Sequence, residues 1–532
     1  MPAESTPPQP GAASQFPQDK FARVRRLLQG GDISAARAVS DEILAAHPQD
    51  SSALIQRSRV ESADDNYRTA REYMLAAYRA GASGKLRHIL LLRRLRIFNL
   101  IAEMRDVASH LPAEIATDAE VAILVSRLFA SINDPGSALE FASRAAAEHP
   151  ESADLQAAVG LALLNQGRFA DAEACFREAL RIEPGHAGAW WQLSRMPGER
   201  SGQHDVDALR RELSSADTPR ATAMLAFALH RELDGKGDYP GATQALSLAC
   251  SSMRKTVDYD AKNDERLFSA LKALPDGARV AGATQTPFTP VFIVGMHRSG
   301  TTLLEHMLAG HDDILSGGEL YDFTSQLRFA ADHHCATELD LAIVEASANF
   351  DYAAIGKGYV DAVEWRRNGQ RFVTDKLPSN FLNIGFILRA LPGAKILHMS
   401  RDPMETCFSN LREPFSENTC RYSYDQDELA GYYRQYFSLM QHWRRQFPGR
   451  IHDVTYTALA TDTESELKRV TSYLGIDYRP SMLDTTARAR DVNTASAVQV
   501  RQKPKLPLQP KWQRYREYLT PMEWRLSSVG QR

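Results

Sequence analysis

The segment Gly295-Met296-His297-Arg298-Ser299-Gly300-Thr301-Thr302 sets two glycines with four residues between them ahead of paired threonines. An apolar run, VFIV, precedes it and the helix-like TTLLEHMLAG follows. This is the spacing of a phosphate-binding loop. Gly295 and Gly300 let successive backbone N–H groups turn inward, and a helix N-terminus adds its positive end to hold an anion. His297, Arg298, Ser299, Thr301 and Thr302 complete the candidate anion ligands. One position departs from the nucleoside-triphosphatase form. Where that form has lysine after the second glycine, this chain has Thr301, and the cation comes earlier as Arg298. The missing lysine is the group that would bind β/γ-phosphates, with a neighbouring hydroxyl on Mg²⁺. A cation inside the loop suits a donor whose reacting group hangs directly on a single 5′-phosphate.

The elements that must position this loop are legible around it. Short apolar runs at 291–295, 371–375, 394–399 and 450–456 alternate with helical stretches at 301–310, 379–390, 403–411, 426–446 and 463–474. Alternating strands and helices imply βαβ units, a mostly parallel sheet, and ligands at the carboxyl ends of the strands. We place this α/β domain at 291–532, behind a proline-punctuated linker at 276–290.

From 17 to 252 the chain reads as helical repeats with a period of 34 residues. Ala36, Ala70, Ala138 and Ala172 share one slot, and Ile43, Ala77, Ala145 and Ala179 share the slot seven residues on. Pro48, Pro150 and Pro184 close three of the blocks, since proline cannot continue a helix. In the clearest block Gly160, Leu163, Ala172, Phe176 and Ala179 fall where a tetratricopeptide repeat puts its packing residues. The stretch 85–118 is degenerate, and a further copy is expected near 223–250 with Gly237-Asp238-Tyr239 as its turn. Trp190 and Trp191 read as repeat packing. Such a solenoid presents a concave surface to a peptide or partner protein, pairs with a second copy as a homodimer, or braces its neighbouring domain.

The 532 residues carry a formal net charge of −3, which argues against bulk nucleic-acid binding. The five cysteines are scattered, with no CxxC pair and no His/Cys cluster at ligand spacing, so no metal site is expected. Residues 1–16 are rich in Pro, Ala, Ser and Gln, lack the basic start and apolar core of a secretory signal, and read as a disordered tail. No apolar stretch reaches the roughly 20 residues that span a bilayer. The expectation is a cytoplasmic protein.

Segment 291–320 resembles the 5′-phosphosulfate loop of sulfotransferases that use the donor 3′-phosphoadenosine 5′-phosphosulfate (PAPS), especially protein-tyrosine sulfotransferases. With its repeats the chain looks like the bacterial forms that carry tetratricopeptide repeats. The resemblance runs from about 286 to 505 and implies roles residue by residue. Arg401, in Arg401-Asp402-Pro403, and Ser409 match the family's 3′-phosphate clamp; its second arginine aligns nearer Glu413 than Arg412. Tyr456 matches a nucleotide-contacting tyrosine. Ser496, Arg501 and Lys503 resemble the segment that folds over the donor. Glu319 matches the catalytic base, with His311 near in sequence as the alternative. Lys376, with Ser496, matches the group that stabilises the leaving oxygen, and Arg298 would bridge the 5′-phosphate and the sulfuryl group. The implied reaction is in-line sulfuryl transfer from PAPS to a hydroxyl acceptor, such as a protein or peptide tyrosine. Two other readings of the same residues stand beside it: a Mg²⁺-dependent nucleotide kinase or triphosphatase, for which Asp375 occupies a suitable strand end, and a non-catalytic repeat scaffold carrying a degenerate transferase domain.

Overall fold

The computed structural model describes residues 18–196, 206–275, 286–416, 419–484, 509–527 and 529. The tail at 1–16, most of the 276–290 linker, and Ser496, Arg501 and Lys503, expected to fold over the donor, lie outside the described residues. The chain forms two compact units, Met1–Val107 and Ala108–Arg532.

The first unit is built from antiparallel helix pairs. Gln18–Gln29 packs on Ile33–Ala46, and Ser51–Ala63 on Tyr67–Ala80, with Lys85–Ile97 against the second pair. Ala36, Ala70 and Ala77 are fully buried and Ile43 nearly so. Small side chains at these slots let the second helix of a pair approach the first. Asp32 and Asp50 each accept a backbone N–H at a helix start, satisfying a donor that has no intrahelical partner.

The second unit opens with the same architecture: Ala119–Ser131 on Pro135–Glu148, then Ala153–Asn165 on Phe169–Ile182. Ala138, Ala145, Ala172 and Ala179 are fully buried. A Cβ on Gly160 would stand 2.7 Å from the Phe176 ring, so the ring needs the missing side chain. The helices before Pro48, Pro150 and Pro184 end two residues short of each proline. The expected late copy is Pro219–Lys236 with Tyr239–Arg254, turned by Gly237 at φ 79° and capped by Asp238. One more helix, Ala261–Lys272, precedes the sheet.

Five strands follow: β1 (Thr289–Val294), β2 (Ile314–Ser316), β3 (Phe372–Asp375), β4 (Lys395–Ser400) and β5 (Ile451–Thr455). They lie in the order β2-β3-β1-β4-β5, and every pairing is parallel. β1 begins inside the expected linker, at Thr289. β4 pairs with it only from Val291 onward, so Pro290 sits where its missing N–H breaks no bond to β4. Helices Pro403–Leu411, Gln426–Gln446 and Thr463–Leu474 match the expected spans. The stretch 379–390 instead begins as a 3₁₀ turn, Pro378–Phe381, before the helix Ile384–Ala390. Short β2 and the helices between 322 and 364 had no clear sequence pattern. One core cluster joins repeat residues such as Ala172 and Phe176 to β1 residues Val291 and Ile293. The later repeat helices and the sheet therefore share a core.

Candidate active site at the carboxyl edge of the sheet

The sheet order converts scattered motifs into one row. Across the carboxyl edge come Glu319 shortly after β2, Lys376 directly after β3, the loop after β1, Arg401 directly after β4 and Tyr456 directly after β5. β1 is the switch point from which the chain first runs to one side of the sheet and later to the other, the usual ligand site of such sheets.

The loop is shaped by its two glycines. Gly295 has φ 151°, and a Cβ there would lie 2.3 Å from the Met399 carbonyl oxygen. Gly300 has φ 113°, and a Cβ would lie 2.9 Å from the Tyr456 ring. Arg298 itself has φ 67°, an uncommon backbone conformation for a side chain of this size. The loop is tied down from both flanks: Gly295 N–H donates to Pro378 O (3.1 Å), and Asn410 Nδ2 donates to His297 O (2.7 Å). Thr301 and Thr302 are buried in the first turn of the helix Thr301–Leu308. Ser299 is 1% exposed, and its Oγ has no hydrogen-bond partner among the described residues. An orphaned hydroxyl inside a glycine-shaped cradle suits an oxyanion.

Lys376 Nζ donates to Glu319 Oε1 at 2.8 Å, with the lysine fully buried and the Glu319 side chain 30% exposed. Their backbones are joined as well, since Lys376 N–H donates to Gly318 O (2.8 Å). Glu305, on the loop's own helix, accepts from Gly318 N–H (2.9 Å) and from Thr374 Oγ1 (2.7 Å). Glu305 thus ties the loop's helix to the Glu319 turn and to the end of β3.

Asp402 caps the helix Pro403–Leu411 by accepting Glu405 N–H (2.8 Å), and Pro403 takes the first helical position. This fixes Arg401, which pairs with Glu405 (2.6 Å) and lies 4.5 Å from the Tyr456 ring centroid. Tyr456 opens a helix rather than closing the strand, because Thr455 caps Tyr456–Thr461. Ser409 accepts Arg298 Nε at 3.2 Å, so the expected 5′ and 3′ sites adjoin. Burial pulls the Arg298 pKa down and Glu413 pulls it back, while Arg195, Arg412 and Arg401 lower it further. Burial also takes His297 down to about 4, which keeps it neutral at pH 7, with Glu319, Lys376 and Arg298 near enough to influence it. His311 instead bonds Asp477 O through Nε2 (3.1 Å) and accepts Asp313 N–H at Nδ1 (3.1 Å).

A cavity of about 420 Å³ has Glu338, Cys420 and the stacked pair Tyr422–Tyr432 in its wall; burial raises the pKa of Glu338 and of Cys420, and the charge of Glu319 adds to both. Sequence reasoning missed Glu305 and Asn410. A carboxylate inside the apolar TTLLEHML was the available signal for the first, and an amide beside Ser409 for the second.

The parallel sheet with its β1 loop is that of a sulfotransferase-type domain. Residues 290–480 match the sulfotransferase family and residues 133–196 the tetratricopeptide repeat. The chain therefore carries a region similar to the sulfotransferase family behind a region similar to the tetratricopeptide repeat. It is 26% identical over 381 residues to an uncharacterized protein of Aquifex aeolicus, covering 68% of this chain and 48% of that one. Over 193 residues it is 25% identical to a Caenorhabditis briggsae protein provisionally named a protein-tyrosine sulfotransferase, covering 36% and 68%. The chain thus spans about half of the first relative's length. Among solved structures, the sulfotransferase domain of the Synechococcus PCC 7002 olefin synthase aligns at 19% identity and TM-score 0.29, over 45% of this chain and 97% of that one. No described helix is long and apolar enough to cross a membrane.

Proposed function

We propose that this protein transfers a sulfuryl group from PAPS to a hydroxyl acceptor, a protein or peptide tyrosine being the first candidate. The observation that carries this reading is the row of groups along one sheet edge: Glu319–Lys376, the loop, and the Arg401/Ser409 clamp. The residues fit the donor. Ser299 Oγ and the loop amides suit the 5′-phosphosulfate, and the Arg401 fork with the Ser409 hydroxyl suits a phosphate monoester.

Glu319 accepts the acceptor's proton as the oxygen–sulfur bond forms. Lys376 and Arg298 stabilise the negative charge on the bridging phosphate oxygen as its bond to sulfur breaks. Positioning and charge stabilisation of this kind supply most of the catalysis in such in-line transfers. Tight burial of Lys376 excludes water around the charge that develops. We place the acceptor in the 420 Å³ cavity, whose wall residues Glu338 and Cys420 feel the charge of Glu319.

Phosphoryl transfer with Mg²⁺ is disfavoured by Asp375. It is fully buried, and its carboxylate oxygens take Asn380 Nδ2 (3.2 Å) and the Tyr359 hydroxyl (3.3 Å). Burial, with Asp322 and Glu305, raises its pKa well above the carboxylate range, the opposite of what a metal ligand needs.

The test is binding of the product nucleotide PAP, followed by labelled-sulfate transfer. Arg298→Ala and Arg401→Ala should abolish PAP binding, whereas Glu319→Ala should bind PAP and lose transfer. Undiminished PAP affinity in both arginine variants would overturn the reading.

A further inference from the structure

The turn inside successive helix pairs holds one residue at positive φ, at the same slot each time: Gly31 (76°), Asp65 (61°), Asn99 (53°), Asn133 (61°) and Gly167 (80°). Left-handed backbone is open to glycine and, among residues with side chains, mostly to asparagine and aspartate. Any of the three satisfies the turn. The conformation therefore does not account for what the side chain at 133 does.

Asn133 stands against the turn that carries Glu319. A Cβ on Gly318 would lie 3.1 Å from Asn133 Cγ, 3.2 Å from its Nδ2 and 3.3 Å from its Cβ. Glu319 follows one Cα step of about 3.8 Å later. The two turns are joined to the same side of the sheet domain, since Arg366 Nη1 donates to Ile132 O (3.2 Å). Gly318 gives the Asn133 amide nothing to bond: its N–H goes to Glu305 and its carbonyl accepts Lys376 N–H. Asn133 N–H donates to Ala130 O (3.0 Å) within its own turn, but the half-buried side-chain amide bonds no described residue. Beside it, Glu319 has Oε1 on Lys376, while Oε2 bonds no described residue. An amide donates through Nδ2 and accepts through Oδ1, which matches the C=O and N–H of a passing main chain. Partial loss of water without a partner is costly to such a group, and a bound main chain would relieve it.

We infer that Asn133, a residue of the repeat array, holds the main chain of a polypeptide acceptor beside Glu319, so that the repeats present the segment whose tyrosine the sheet edge modifies. This rests on the sulfuryl-transfer reading with Glu319 as base. It narrows the acceptor to a polypeptide, and it makes one repeat turn part of the acceptor site.

The test compares two acceptors on the full chain with labelled PAPS: a capped, uncharged tyrosine peptide, and p-cresol, which offers a phenol without a main chain. Wild type should favour the peptide in kcat/KM. Asn133→Gly removes the amide and leaves the residue type that the same slot uses at Gly31 and Gly167, so the variant should melt near the wild-type temperature. Its peptide-to-cresol preference should fall about 10-fold, mainly through KM for the peptide, as for the loss of one or two hydrogen bonds. Asn133→Asp keeps the side-chain shape and the turn, as Asp65 does, but loses the donor and should lower the preference similarly. An unchanged preference in Asn133→Gly, equal losses on both acceptors, or wild-type transfer to cresol alone or to neither acceptor would overturn the inference and leave the donor reading standing. Failure of wild type to bind PAP would instead bring down the donor assignment itself.

Discussion

The repeat slots and the sheet edge are buried to the same degree and spend that burial differently. Ala36, Ala138 and Ala172 are 0% exposed, and so are Lys376 and Asp375. In the repeats, burial removes apolar surface from water and each residue agrees with its neighbours, so the burial is converted into stability. At the sheet edge, charged groups leave water, as with Lys376 on half-buried Glu319 or Arg298, whose pKa burial lowers. That arrangement suits the charged ligand and transition state proposed above, at the expense of stability.

The sharpest way to break this contrast is Lys376→Ala. Transfer should fall at least about 100-fold, the loss typical for one electrostatic group, with PAP affinity changed far less; single-turnover kinetics would show it. Equal losses in both would mean that Lys376 binds donor rather than stabilising the leaving oxygen. On the repeat side, Phe176→Ala should cost about 3–5 kcal/mol of stability in denaturant unfolding, since the ring is fully buried against Gly160. The folded fraction should still bind PAP as wild type does.

Acid should act on the site more than on the repeat slots. The His297 pKa is about 4 in the folded chain, against about 6.5 when unfolded. Between those values the unfolded chain holds a proton that the folded chain does not, so stability is full above pH 6.5 and lost as pH falls toward 4. His230, pulled down to about 3 by burial and by Arg412, adds to the same slope. His297→Asn should remove about 2–3 kcal/mol of the loss seen at pH 4, read from chemical denaturation across pH. A slope identical to wild type would show that the imidazole is already charged. The smallest effect is expected from Ser152→Ala, which removes the cap on Leu155 N–H (3.3 Å). It should cost about 1 kcal/mol and leave transfer unchanged.

The features legible in the sequence are the local ones. Gly295 and Gly300 are readable because a tight strand-to-helix turn with positive φ and close neighbours favours glycine. The alanine slots are readable because helix pairs recur with a fixed period. Asp402-Pro403 announces a helix start. Glu305 was harder, because its partners Gly318 and Thr374 lie 13 and 69 residues away. Tyr456 was placed at a strand end, but Thr455 was free to cap, and a helix began there instead.

What the sequence by itself determined is a glycine-shaped loop at a strand–helix junction, a repeat array and a parallel sheet, because backbone conformation and side-chain periodicity act over short range. What only the tertiary structure decided is which charges meet. Lys376 reaches Glu319 across 57 residues, Arg298 reaches Ser409 across 111, and the repeat-side Asp234 faces Arg412 from a remote helix. Electrostatic energy depends on distance and on exclusion of water, and packing sets both.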